Sequence, residues 1–280
     1  MSDGPRVISI GASAQEATLS FHTFDDQEPD LISTGFPPLD RKIGGLFPGT
    51  SMVLAGKTGV GKSSLMLTQA FTAANSGTRV GVISLEDTPD VLGSRSIAAL
   101  SGVDSLAIRT KRLSPTDKRR IMEAEEKLLA TAIDTCYPIG LGVPGVVAAV
   151  EKLGKNGCRL IFIDYLQKIR GGVEDRRNEI GQAFSAVQAA CYNAKAAAVF
   201  VSQVSRPIDH NRALTIHSIK ESGDVENEAR VIVLVEREEA SPRLTARVAK
   251  CTFGGEGLTW SLQRDPSGTL REVTGNYGEF

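Results

Sequence analysis

At 280 residues, with 41% hydrophobic and 23% charged content, the chain has the size and composition of one large globular domain or two small ones. A net charge of −1 excludes the global basic signature of many nucleic-acid-binding proteins, and the longest apolar run, Ala196 to Val201, is far too short to span a bilayer. The charge is uneven: residues 1–33 hold six acids (Asp3, Glu16, Asp25, Asp26, Glu28, Asp30) against Arg6, a net of −5, which leaves +4 on the remainder. A mildly basic body of this kind can still meet a polyanion locally, because placement matters more than the sum.

In chain order, residues 1–33 read as an acidic arm, either loosely ordered or packed on a neighbouring subunit. They lack a basic region followed by an apolar run, so no signal peptide is predicted. Ser33 to Asp40 and Ile43 to Gly49 form a turn-rich approach to Ser51–Ala55, which reads as a buried strand. The next stretch, Gly56-Lys57-Thr58-Gly59-Val60-Gly61-Lys62-Ser63, fits Gly-x4-Gly-Lys-Ser/Thr at every defined position, and Ser64 follows. A helix from Ser63 to Ala74 completes the strand–loop–helix context the motif requires. Glycines let successive N–H groups turn inward onto phosphate oxygens, and the helix adds the positive end of its dipole. Lys62 is expected to reach the β- and γ-phosphates and the Ser63 hydroxyl to ligate Mg²⁺. The cofactors predicted are therefore ATP and Mg²⁺.

Farther on, Arg79–Leu85 reads as a strand ending at Glu86 and Asp87, and Pro89 opens a helix. Ser114-Pro115-Thr116-Asp117 caps a charged helix running towards Ala132, and Pro144 to Gly154 reads as another helix. Arg159–Asp164 is a near-continuous apolar strand ending in an acid, the pattern of a strand buried on both faces. Ile180, Phe184, Val187 and Cys191 fall at helical spacing before a strand that ends at Gln203. Three more strands are predicted, at Val231–Val235, Leu244–Ala249 and Leu258–Leu262. The alternation implies an α/β fold, a doubly wound and mostly parallel sheet with helices on both faces. One domain is expected from residue 34 to residue 280.

Ligands in such sheets gather at the carboxyl ends of strands. Asp164 is placed there to orient Mg²⁺, usually through water. Glu86 is placed to activate the water that attacks the γ-phosphate. Gln203, weaker evidence taken alone, is placed to sense that phosphate through its amide. The four cysteines (Cys136, Cys158, Cys191, Cys251) and three histidines form no ligand motif, and the cysteines read as reduced, as in a cytoplasm.

The chain resembles the ATPase domain of the DnaB family of hexameric replicative DNA helicases, within the RecA-like superfamily. The resemblance runs from Thr34 to about Trp260. It rests on Ser33-Thr34-Gly35-Phe36-Pro37-Pro38-Leu39-Asp40, the phosphate loop, Ile83-Ser84-Leu85-Glu86, Ile108-Arg109-Thr110, Ile163-Asp164-Tyr165-Leu166-Gln167, Val201-Ser202-Gln203-Val204-Ser205-Arg206 and Ile219-Lys220-Glu221-Ser222-Gly223. It implies a RecA-like phosphate-loop domain with a twisted sheet. It also implies a homo-oligomer, a hexameric ring or else a filament, with ATP between subunits and single-stranded DNA in a central channel. Lys220, Glu221 and Gly223 would face the DNA, joined by Arg206, Arg176 and Arg177 in segments after strand ends; with few aromatics among them, contact should be independent of sequence. The family's N-terminal collar, which binds primase, is absent from this sequence, so a loader or primase would be supplied separately. Of the family's Lys-x-Arg, Lys250 is in place as a trans-acting cation, while Thr252 stands where the arginine finger would be. The resemblance implies an ATP-dependent helicase motor. The alternative is a single-stranded-DNA-binding assembly or regulatory subunit that uses ATP as a switch and hydrolyses it weakly.

Overall fold

The structure is a computed structural model that describes residues 9–13, 15, 30–138, 142–170, 176–204, 214–219, 223–237, 241 and 243–273. Two compact units divide it, Met1–Asp30 and Leu31–Phe280. In the first, residues 10–13 are helical. The second begins before the boundary drawn from composition: Ile32 is buried and exchanges backbone hydrogen bonds with Leu46, so residues 31–33 belong to the body.

Among the described residues, the body is built on a sheet of nine strands. In chain order these are β1 (Ser51–Gly56), β2 (Val80–Ser84), β3 (Ile133–Cys136), β4 (Leu160–Asp164), β5 (Ala197–Gln203), β6 (Val231–Arg237), β7 (Arg243–Cys251), β8 (Thr259–Arg264) and β9 (Leu270–Glu272). Their spatial order is β3-β2-β4-β5-β1-β6-β7-β8-β9. The first six in that order are parallel, and β7 to β9 are joined antiparallel at the far edge. Strands β1, β2 and β4 are buried at every position, which explains their unbroken apolar sequences.

Helices cover both faces. Alternate residues of β1 point to opposite cores, Met52 and Leu54 to one, Val53 and Ala55 to the other. The first core receives Leu65, Met66, Ala70 and Ala73 of the helix Lys62–Asn75. The second receives Val146, Val150 and Leu153 of the helix Val143–Lys155 and Phe184 and Val187 of the helix Arg176–Asn193. Phe184 packs on Phe200 with ring centroids 4.4 Å apart.

The turn-rich approach to β1 contains a helix, Pro37–Ile43. Two prolines suit a first turn, where their missing N–H groups cost nothing, and Gly44 closes the helix at φ 80°. Ahead of it, Asp40 accepts hydrogen bonds from Ser33 Oγ (2.7 Å), Thr34 N (2.9 Å) and Thr34 Oγ1 (2.6 Å). Gln69 Nε2 donates to Thr34 O at 3.0 Å, and a Cβ on Gly35 would collide with the Gln69 backbone. Phe36 meets Trp260 edge-on at 4.8 Å. The family-like segment Ser33–Asp40 is thus a structural fastening between the start of the body, the phosphate-loop helix and β8.

Elsewhere the structure departs from the sequence reading in detail. The charged helix is Pro115–Leu129, shorter than the expected run to Ala132, and it opens on a full Ser114/Asp117 capping box. A short helix, Ser105–Thr110, capped by Asp104, precedes it. Strands β3 and β9 have no counterpart in the sequence reading; each is four residues or fewer, and β3 is half-exposed.

Candidate active site

The phosphate loop joins β1 to the helix Lys62–Asn75, as its sequence requires. Gly59 and Gly61 have φ of 76° and 114°, conformations that side chains resist, and a Cβ on Gly56 would lie 2.7 Å from Val235 O in the adjoining strand. Arg237 braces the loop from that strand, donating to Gly59 O at 3.2 Å and Val60 O at 3.3 Å. Lys62 is buried, and its Nζ donates to the loop's own carbonyls, Gly56 O at 2.8 Å and Lys57 O at 2.9 Å. Burial lowers its pKa, while the charges of Asp164 and Glu86 pull the other way.

A cavity of about 330 Å³ opens above the loop. Thr58, Gly59, Gly61, Lys62, Ser63 and Ser64 form its floor, and Glu86, Asp164 and Gln203 converge on it from the ends of three parallel strands. Asp164 is 5% exposed. Burial pushes its pKa up to about 6, helped by Glu86 and Asp87 and opposed by a hydrogen bond with Ser63 and by Arg95. Glu86 lies two residues beyond the end of β2, at the exposed rim. Gln203 is clamped by Gln167, whose Oε1 accepts from Gln203 N at 3.1 Å while its Nε2 donates to Ser202 Oγ at 2.8 Å.

The donor set suits Mg²⁺. A hydroxyl and a buried carboxylate are already hydrogen-bonded to each other, and that carboxylate is crowded by two further acids, so a divalent cation is well matched to the charge present. Among the described residues no group of three His, Cys, Asp or Glu could hold a metal alone, so phosphate and water would have to complete the shell.

Of the other candidate residues, Lys57 and Val60 belong to the loop without lining the cavity. Lys250, expected to act on a neighbouring subunit's site, donates its Nζ to Glu226 O at 2.6 Å and Asn227 O at 3.0 Å, at the end of the helix Gly223–Glu228. The Thr252 side chain is exposed. Gly223 opens that same helix and Arg177 is exposed, whereas Arg206, Lys220 and Glu221, and the side chain of Arg176, lie outside the described residues.

Sequence reasoning missed several cavity residues: Arg95, Ser105, Tyr165, Arg264 and the turn Ser267-Gly268-Thr269. Arg95 holds Asp87 at 2.6 Å, and its place on the helix that follows Glu86 was a usable signal. Arg264 and the turn come from the far edge of the sheet, and no local pattern announces them.

Residues 32–265 match the family described as the DnaB-like helicase C terminal domain. The chain belongs to that family. A probable plasmid replicative DNA helicase of Chlamydia trachomatis is 28% identical to this DnaB-like domain over 252 residues, covering 88% of the chain and 56% of the relative. The replicative DNA helicase DnaB of Rickettsia prowazekii is 27% identical over 248 residues, covering 82% of the chain and 51% of the relative. The chain therefore spans about half the length of the curated relatives it matches. In three dimensions it resembles a solved ATPase domain (TM-score 0.84, 21% identity, 96% of this chain and 100% of that one). It also resembles a DnaB-like replicative helicase studied for its interactions with primase (TM-score 0.79, 21% identity, 96% of this chain and 68% of that one). The RecA-like α/β fold expected from the sequence is the fold of this DnaB-like domain.

Proposed function

We propose that this DnaB-like domain is an ATP-driven helicase motor that binds Mg-ATP on its phosphate loop, assembles into a ring and translocates on single-stranded DNA. One observation carries the reading: Lys62 and Ser63, at the start of the phosphate-loop helix, meet Glu86, Asp164 and Gln203, from the ends of three strands, in one cavity. The loop amides and Lys62 bind the phosphates, Lys62 exchanging its two carbonyl acceptors for phosphate oxygens. Ser63 would ligate Mg²⁺ and Asp164 would orient it, usually through water, and the ion would offset phosphate charge. Glu86, at the rim, accepts the proton of the attacking water. Gln203, held by Gln167, reports the state of the γ-phosphate to the segment that follows β5. Val204, the residue after Gln203, forms an isolated antiparallel bridge with Ile219, which immediately precedes the candidate DNA loop of Lys220 and Glu221. Arg206, Arg176, Arg177 and Gly223 would share the phosphate backbone with that loop. The acidic arm, cut back to residues 1–30 because residues 31–33 belong to the body, would act as a separate element, a primase or loader would be a separate partner, and the working location would be the cytoplasm; no helix among the described residues is long and apolar enough to cross a membrane.

A second reading, an assembly on single-stranded DNA that uses ATP as a switch, is favoured by Thr252 at the finger position and by Lys250 resting on its own subunit's carbonyls. An arginine finger contributes roughly 10³–10⁵ in rate. ATP turnover with and without single-stranded DNA separates the two. Under the motor reading DNA stimulates the wild type and Glu86→Gln abolishes turnover. Slow wild-type turnover that Thr252→Arg accelerates would replace the motor with the switch.

A further inference from the structure

Arg264 ends β8 and points back across the sheet into the cavity, where its Nη2 lies 3.4 Å from Ser64 Oγ, in the first turn of the phosphate-loop helix. It is half-buried, and among the described residues no carboxylate lies within ion-pair distance of its guanidinium. The adjacent acid, Asp265, is committed elsewhere. It takes Arg271 at 3.2 Å, accepts from Thr269 N at 3.1 Å, and holds the Ser267 hydroxyl. The charges beside Arg264 are like charges, Arg237 and Arg95; together with burial, the larger cause, they lower its pKa. Arg95 has Asp87, and Arg237 is engaged by the loop carbonyls. A desolvated guanidinium among cations is unfavourable unless an anion completes it.

The turn that follows is built to hold this position. Ser267 is 5% exposed and its hydroxyl lies 2.8 Å from Thr269 Oγ1, which donates to Ala99 O at 3.3 Å. Ser105 N donates to Pro266 O at 3.3 Å. The β8–β9 turn is thereby tied to two helices across the cavity mouth, the helix Pro89–Ser101 and the helix Ser105–Thr110. Leu67 and Ala99 line the same cavity, and Ala99 lies on the helix to which the turn is bonded.

We infer that Arg264 is a nucleotide-binding residue of this site, contacting the α-phosphate, with the β8–β9 turn closing the nucleoside end of the cavity. In a phosphate loop the lysine serves the β- and γ-phosphates while the loop amides cradle the α and β positions. Ser64 is one residue beyond the metal-binding Ser63, so a guanidinium over Ser64 is placed for the α-phosphate and not for the bond being broken. Arginine suits the task because it keeps its positive charge when half-buried and can set it beside a phosphate oxygen.

The inference rests on the nucleotide reading above, and titration calorimetry with ADP, ATP and CTP separates the two. Wild type, Arg264→Gln and Arg264→Lys are compared after circular dichroism shows equal helix content. The expected result is a loss of about ten-fold in affinity for Arg264→Gln, of similar size for all three nucleotides, with Arg264→Lys within about three-fold of wild type. A loss confined to ATP would move the contact to the γ-phosphate and overturn the assignment. So would a loss that spares CTP, a loss equally large in Arg264→Lys, or unchanged affinity in Arg264→Gln. Failure of wild type to bind any of the three would remove the nucleotide reading itself.

Discussion

The two halves of the sheet contribute to the same cavity in different ways. The parallel half, β3-β2-β4-β5-β1-β6, delivers functional groups where its strands stop: the loop after β1, Glu86 just beyond β2, Asp164 at the end of β4 and Gln203 at the end of β5. Parallel strands all stop at one edge, so every one of them can serve the same ligand. The antiparallel half, β7 to β9, has strand ends at both edges. It sends Arg264 into the cavity from one of them and leaves Lys250 on the helix Gly223–Glu228. Chemistry is concentrated in the first half, and closure comes from the second.

The strongest way to break that contrast is to attack the chemistry alone. Glu86→Gln should cut ATP turnover by about 10³, equivalent to about 4 kcal/mol, with nucleotide affinity nearly unchanged. A loss of affinity as large as the loss of turnover, measured by steady-state kinetics beside equilibrium binding, would mean that Glu86 is part of binding instead. Packing offers the next test. Phe162→Ala, in the fully buried β4, should destabilise by about 4 kcal/mol. Leu270→Ala in the edge strand β9 should cost nearer to about 2 kcal/mol, yet loosen the turn that carries Arg264 and weaken ATP binding several-fold. Denaturant unfolding and calorimetry on the pair would show whether stability and binding divide between the halves in this way.

A smaller effect has the opposite sign. The Asp164 pKa of about 6 in the fold lies above its ordinary value of 3.8, so the protonated form is the one that folding favours. Its stabilising contribution is complete below about pH 4 and is lost as pH rises through about 6. Asp164→Asn cannot ionise. It should therefore raise the stability of the nucleotide-free protein at about pH 7.5 by about 2 kcal/mol, with the gain shrinking towards about pH 5, while Mg-ATP binding is lost. Thermal melts across that range read the first part and calorimetry the second. Smallest is Ser114→Ala, which removes a capping box on a helix remote from the cavity; about 1 kcal/mol of stability should go, with turnover untouched.

Legibility in the sequence followed the same division. The parallel strands are buried on both faces and read as unbroken apolar runs such as Leu160-Ile161-Phe162-Ile163, so their ends could be located and the polar residues there assigned. Glu86, Asp164 and Gln203 were legible for that reason, and Lys62 and Ser63 from the spacing of the phosphate-loop motif. Strands β3 and β9 were not, because short edge strands draw their stability from a neighbour and not from a pattern of their own. Arg264 was invisible because its meaning depends on pairing across the antiparallel edge, which brings it to Ser64, 200 positions away in sequence. The helix Pro37–Ile43 was hidden by its own prolines, which read as a turn until Asp40 is seen gathering Ser33 and Thr34.

That knot at Asp40 also has a mechanical meaning. Through Thr34 O it is bonded to Gln69, on the same helix whose first turn forms the end of the phosphate loop. Tension applied to the chain ahead of Leu31 would not dissipate in a slack connector. It would arrive along a short, hydrogen-bonded path at the seat of the nucleotide, and a shift of that helix would travel back the same way.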